Sequence, residues 1–254
     1  MDRLEKALSK SRQQRAALGH DVATAAAPKE NSASPKAPAG ALDEALLDRH
    51  RVVAHRACPE ADVYRQLRTK VLRVMNDSGF KTLAITSPRY GDGKTTAVMN
   101  LGISISLDQK QTVLLVDLDI RKPNLHQYLG LRPKAGLTDY LLRNTPLPEC
   151  LSRPPFERVN VLPAGMSLEN SSELLGSHKM IALAHELKAR YPDRFVIYDM
   201  PPVLEQDDAL AFLPQVDAVL VVVRDGFTRA EDLKRALGAL SGANVIGTVL
   251  NNCW

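Results

Sequence analysis

Thr82–Thr96, TLAITSPRYGDGKTT, joins an apolar strand to a helix through a turn made of Gly91, Gly93 and Lys94-Thr95-Thr96, and such a turn leaves few folds open. Thr82–Thr86 reads as a short buried strand, and Thr95–Leu107, TTAVMNLGISISL, as a helix packed on a sheet. Glycines in a strand-to-helix turn let consecutive backbone N–H groups point inward at phosphate oxygens. Lys94 can then neutralise β/γ charge, and the Thr95 hydroxyl can ligate Mg²⁺. The pattern G-x-x-x-x-G-K-[ST] is met except at its first glycine, where the chain has Pro88. A dinucleotide fingerprint fits worse, because Thr96 stands where G-x-G-x-x-G needs its third glycine. A surface loop with a solvated lysine is the bland alternative; strand, glycines, Lys-Thr and helix in the required order argue against it.

Further apolar runs at Thr112–Asp117, Val159–Pro163, Phe195–Asp199, Ala218–Val223 and Val245–Leu250 mostly alternate with helical segments. That alternation predicts an α/β fold: a mostly parallel central sheet with helices on both faces and ligands at the carboxyl ends of the strands. Two of the runs end in carboxylates. TVLLVDLDIRKP carries Asp117 and Asp119, spaced by two so that both leave the same side of an extended end, and FVIYDMPP carries Asp199 before a Pro-Pro exit. All three are expected to converge on Lys94 and Thr95. Thr95 with Asp117 and Asp199 would make a hard-oxygen site of the kind Mg²⁺ takes. Any one strand-end aspartate, taken alone, reads equally well as a turn former or helix cap. Arg121 is read either as a partner of Asp119 or a phosphate, or as a surface arginine. His126 is read as a packed or exposed histidine, Tyr90 as an unusual loop side chain, and Tyr198 as pointing into or beside the sheet.

With 254 residues, 44% of them hydrophobic, the chain suits one α/β domain plus a modest extension. Residues 1–18 have helix-forming composition, 19–40 read as an Ala/Pro/Ser-rich linker, and 41–254 form the expected domain. From Glu60 a further helix is expected to turn Val63, Leu67 and Val71 inward. Residues 1–56 carry a net charge of +3 and the remainder only +1, and no basic stripe with interleaved aromatics accompanies them, so nucleic acid is not an expected partner. No apolar run approaches the roughly 20 residues of a membrane span, and the charged N-terminus lacks a signal-peptide core, so a cytoplasmic location is expected. Cys58, Cys150 and Cys253 are widely spaced, without the pattern of a zinc site or a disulfide framework.

In order along the chain, MDRLEKALSKSRQQR, ADVYRQLRTKVL, TSPRYGDGKTT, VLLVDLDIRKPNLHQYLGL, LENSSELLGSHKM, VIYDMPPVLEQDDALAF, VDAVLVVVRDGFTRAEDL and GTVLN resemble the bacterial tyrosine kinases of exopolysaccharide loci. The likeness is strongest to their exosortase-associated (PEP-CTERM locus) tyrosine autokinases and covers nearly the whole chain. It implies the deviant P-loop ATPase fold, ATP and Mg²⁺ as cofactors, and a protein tyrosine as acceptor. Carried over by residue, it makes Gly91, Asp92, Gly93, Lys94, Thr95 and Thr96 the nucleotide loop. Asp117 becomes the group that orients or deprotonates the acceptor hydroxyl, with Asp119 as alternative base. Asp199 becomes the Mg²⁺-side carboxylate, and Asn251 the reader of adenine. The family's E-x-x-R-x-x-R ring-forming helix corresponds to Asp62, Arg65 and Arg68, with aspartate in place of glutamate, so a homo-oligomer is implied. Also implied is a membrane-embedded chain-length (co-polymerase) protein as activator, which would bring the kinase to the inner membrane. The sequence stops at NNCW where family members commonly carry a tyrosine cluster, so tail autophosphorylation is in doubt. Two rivals remain: a partitioning or septum-placement switch ATPase, whose signature lysine would fall at Arg89, and a nucleotide-binding scaffold without catalysis.

Overall fold

The computed structural model describes residues 42–108, 111–191 and 193–252. The helix expected over 1–18, the linker expected over 19–40, and Cys253 lie outside the described residues. Among the described residues two helices come first, α1 (Glu44–Arg49) and α2 (Pro59–Asp77). Asp43 caps α1 by accepting from Leu46 N at 3.0 Å, and Pro59 opens α2 where its missing N–H costs nothing. Then follow β1 (Thr82–Thr86), α3 (Lys94–Ser106), β2 (Thr112–Asp117), α4 (Leu125–Tyr128), α5 (Leu137–Arg143), α6 (Leu147–Cys150) and β3 (Val159–Leu162). The chain continues through α7 (Ser171–Leu175), α8 (His178–Ala189), β4 (Arg194–Asp199), α9 (Asp208–Phe212), β5 (Ala218–Arg224), α10 (Ala230–Ala239) and β6 (Val245–Asn251).

The strands lie in the order β3-β2-β4-β1-β5-β6, and every neighbouring pair is parallel. The expected parallel α/β architecture is what forms. Strand bounds shift by a residue for identifiable reasons. β3 stops at Leu162 because Pro163 has no N–H to give the ladder, and β5 and β6 run on because Arg224 still pairs with Asn251.

Alternation sorts the strand side chains onto two cores. Leu83, Ile85, Leu115 and Ile197 face α2 and α3, whereas Ala84, Leu114, Val196 and Tyr198 face α8 and α10. Helix α3 lies between the sheet and α2 with 12 of its 13 residues buried, so it is enclosed all round and shows little amphipathic stripe. Its Val98, Met99, Leu101, Ile103 and Ile105 are each almost fully enclosed, at about 1.5–3 kcal/mol per side chain, so packing fixes this helix. Helix α2 differs from expectation. Ala61, Val71 and Met75 make its buried face and Leu67 is half-buried, but Val63 is 63% exposed, because the helix meets its neighbours along a different stripe.

The order β2-β4-β1 is what builds the site. It sets three strand ends side by side, and the register between β2 and β4 places Asp117 directly opposite Asp199, while Ile85 of β1 faces Asp199 from the other side. Among the described residues, no helix is long and apolar enough to cross a membrane.

Candidate active site

The loop after β1 is held in shape by its own side chains. Gly91 and Gly93 take the left-handed φ values of +89° and +91°. A Cβ on Gly93 would lie 1.9 Å from Asn251 Nδ2, so both conformation and crowding require glycine there. The carboxylate of Asp92, a residue expected in the nucleotide loop, is fully buried and braces that loop: it accepts from Arg89 N at 2.9 Å and from the Thr228 hydroxyl at 2.6 Å. Asn251 Nδ2 donates to the Asp92 carbonyl at 3.0 Å, tying the end of β6 to the loop. The helix begins at Lys94, one residue earlier than expected, with Gly93 as its left-handed cap. Its first backbone N–H groups therefore open on a cleft of about 330 Å³ lined by Gly91, Gly93, Thr95, Thr96, Arg224 and Asn251.

Lys94, part of the cleft lining, meets Asp119 and Asp199 in the buried layer beneath it, with Asp117 opposite Asp199 on the neighbouring strand. Lys94 Nζ donates to Asp119 Oδ2 at 2.9 Å and lies 3.5 Å from Asp199 Oδ1. The Thr95 hydroxyl donates to Asp199 Oδ2 at 2.7 Å. Among the described residues Asp117 takes no side-chain partner; its Oδ1 accepts from Asp119 N at 3.1 Å and its Oδ2 from Asn124 N and Leu125 N at 3.2 and 3.1 Å. Burial would lower the Lys94 pKa, but Asp199 and then Asp119 outweigh it and hold the ammonium above its ordinary range. The Asp117 carboxyl is pushed up to about 8, first by burial and then by Asp199 across the strand pair, with Lys94 opposing. Burial also raises Asp199, against the pull of Lys94 and Thr95. One lysine thus offsets a cluster that holds more negative charge than it can pair.

This donor set fits Mg²⁺. Asp199 Oδ1 is buried without a hydrogen bond among the described residues, the Thr95 hydroxyl lies beside it, and all the donors are hard oxygens. Among the described residues no three His, Cys, Asp or Glu side chains form a metal cage.

Other expected residues settle differently. Arg121 does not reach Asp119, whose Oδ2 is taken by Lys94; it pairs with Asp207 and Asp208 at 3.5 Å and donates to Ser171 Oγ at 3.0 Å. Arg89 is held by Asp232 at 2.8 Å and Glu205 at 3.2 Å and does not line the cleft. Tyr198 is buried in the sheet and packs edge-on to Phe212, with ring centres 4.9 Å apart. His126 is half-exposed on α4. Arg65 pairs with Asp62 within α2 and donates to the Arg56 carbonyl at 2.8 Å, and Arg68 donates to the Ser104 carbonyl at 2.8 Å.

Two groups were not expected at the site. His50 stacks on Tyr128 with ring centres 4.1 Å apart, and both line the cleft. Asn100, inside α3, accepts from Val53 N and Ala54 N at 2.8 and 2.9 Å and donates to the carbonyls of Arg51 and Thr96 at 2.9 Å. It clasps the segment that carries His50 over the cleft. A polar residue in the middle of an otherwise buried helix was the available clue.

A glycine-bearing loop opening a helix, with lysine, threonine and carboxylates at the carboxyl ends of parallel strands, defines a P-loop nucleotide-binding protein. The AAA domain family matches residues 80–239. Tyrosine-protein kinase YwqD of Bacillus subtilis (strain 168) is 33% identical over 193 residues, which are 75% of this chain and 80% of that protein. The chain belongs to the bacterial tyrosine-protein kinase family. It is also 30% identical to the succinoglycan biosynthesis transport protein ExoP of Rhizobium meliloti (strain 1021), across 75% of this chain but only 25% of that longer protein. Among solved structures, the chimerical protein CapA2B2 superposes with a TM-score of 0.74 at 29% identity, covering 80% of this chain and 89% of that one. The cell division ATPase MinD of Pyrococcus furiosus is more distant, with a TM-score of 0.57 at 27% identity over 67% of this chain and 71% of its own.

Proposed function

We propose that the chain is an ATP-dependent protein-tyrosine kinase that serves exopolysaccharide synthesis or export. The observation that carries this reading is the placement of Asp119, which bonds the phosphate-loop lysine through one oxygen, while its other oxygen accepts from Lys122 N at 3.2 Å and lies 3.5 Å from the hydroxyl of the cleft-lining Tyr90, the side from which an acceptor hydroxyl would arrive. In this role Lys94 leaves Asp119 for the γ-phosphate, and Asp119 takes the acceptor's proton. Asp117, whose oxygens are held by backbone N–H groups, and Asp199, beside Thr95, lie on the metal side. Mg²⁺ at Thr95 and Asp199, with Asp117 behind them, would supply neutralisation of triphosphate charge. Most of the acceleration comes from positioning and charge stabilisation, because phosphoryl transfer asks for little covalent chemistry. Asn251, at the cleft's edge, is placed to meet the base.

The activating partner is a membrane-embedded polysaccharide chain-length protein, and α2 with Asp62, Arg65 and Arg68 is the contact through which copies associate. Phosphotyrosine mass spectrometry on wild-type and Lys94→Met protein, mixed with ATP, Mg²⁺ and the partner's cytoplasmic segment, tests the reading. Phosphotyrosine in the wild type and none in Lys94→Met is expected. A wild type that binds ATP yet yields no phosphotyrosine on itself or any supplied protein would refute it, and ATP-dependent dimers that transfer phosphate only to water would point to the switch-ATPase rival.

A further inference from the structure

The phosphate loop presents one side chain that the proposed chemistry leaves unused. Tyr90 is half-buried at the mouth of the cleft, and its hydroxyl donates to Asp119 Oδ1 at 3.5 Å while accepting from Gln206 Nε2. Lys122 Nζ sits 4.0 Å from the centre of its ring. Gln206 is brought there by the loop after β4, which pairs with the phosphate loop through Val203 N to the Ser87 carbonyl at 2.9 Å and Leu204 N to the Pro88 carbonyl at 3.3 Å. A protein tyrosine awaiting a phosphoryl group needs these same contacts: its hydroxyl on a carboxylate next to the phosphate lysine, and its ring against a cation. We infer that Tyr90 occupies the acceptor-tyrosine position of its own chain and that the incoming tyrosine displaces it, an inference that rests on the kinase reading above.

The contacts are those of a removable occupant. A separation of 3.5 Å is long for O–H···O, whose usual distance is near 2.7–2.8 Å. Gln206 Oε1 is buried with no hydrogen bond among the described residues, so the network around the phenol is not closed. The loop backbone, by contrast, is pinned by the Arg89 N–H on Asp92 at 2.9 Å, so departure of Tyr90 is a side-chain rotation. Burial and the Asp119 charge push the Tyr90 hydroxyl up to about 12, which keeps it a protonated donor like the acceptor it stands for.

The test uses the full-length protein, Tyr90→Ala and Tyr90→Phe, with a synthetic glutamate–tyrosine copolymer as acceptor probe. Tyr90→Ala should lower the acceptor KM at least fivefold while the ATP KM stays within twofold; Tyr90→Phe, which keeps the ring but loses the hydroxyl, should fall between. Anisotropy of labelled copolymer, measured without nucleotide or Mg²⁺, should give Kd values in the same order. Unchanged acceptor KM and Kd in both variants would overturn the inference alone, as would weaker acceptor binding, which would make the ring a wall of the site. A wild type that binds ATP and transfers nothing overturns the kinase reading and this inference together.

Discussion

Replacing Asp117 with asparagine should make the nucleotide-free protein more stable while abolishing phosphoryl transfer. Asp117 is fully buried with its carboxyl pushed up to about 8, whereas the same group in an unfolded chain titrates near 3.9. At pH 7 folding must therefore add a proton to a group that the unfolded chain leaves ionised. Roughly three pKa units at about 1.4 kcal/mol each put that cost on the order of 4 kcal/mol. Asparagine has the same shape without the charge, but it can aim its oxygen at Asn124 N and Leu125 N only by turning its amide toward Asp119 N, at a loss of about 1–3 kcal/mol. The net gain is on the order of 1–3 kcal/mol. The sign follows from proton counting. Between pH 4 and 8 the native wild type holds a proton at this site that the unfolded chain has lost, so wild-type stability falls as pH rises, whereas the asparagine variant lacks that slope. Urea unfolding followed by circular dichroism from pH 5 to 8.5 should show the variant's advantage growing with pH and levelling off near 8. A variant less stable than wild type at pH 8, or a difference that ignores pH, would refute the argument that charge crowding is stored at this strand pair. Adding Mg²⁺ and nucleotide should stabilise the wild type far more than the variant.

Gly93→Ala places a Cβ 1.9 Å from Asn251 Nδ2 at a φ of +91°, so nucleotide titration should show affinity reduced by about two orders of magnitude and unfolding should show a loss of about 1–3 kcal/mol. Tyr198→Phe removes a buried hydroxyl with no hydrogen bond among the described residues and keeps the contact with Phe212, so denaturant melts should gain about 1 kcal/mol. Asn100→Ala removes four hydrogen bonds at once; a loss of about 2–4 kcal/mol is expected, with hydrogen exchange rising first at Val53 and Ala54.

Sequence pattern carried the sheet well because parallel strands buried on both faces read as unbroken apolar runs, and β1 and β2 fall on the expected residues. The meeting of Lys94 with Asp117, Asp119 and Asp199 was legible for a related reason: strand-end carboxylates beside a phosphate loop have one mouth to share. What periodicity could not show is who holds whom. Arg121 went to Asp208 because the chain turns away after Asp119, and Val63 pointed outward because three apolar residues at helical spacing do not say which stripe meets the core. The place of Asp92 in the loop was legible, but not that its oxygens serve Arg89 N and Thr228, the latter a pairing 136 residues apart that no local signal reveals.

The enclosure of α3 on every side determines where this protein can respond to its ligand. A helix with 12 of 13 residues packed cannot tilt or slide without opening cavities on two faces at once, so the lysine and threonine at its start act as fixed points. Motion that accompanies nucleotide or acceptor is therefore expected outside α3, among the segments bonded to the cleft's rim. Two such segments are 50–54, held by Asn100, and 203–206, laced to Ser87 and Pro88. The rigid part thus sets where phosphate sits, and adjustment to what binds there is left to its surroundings.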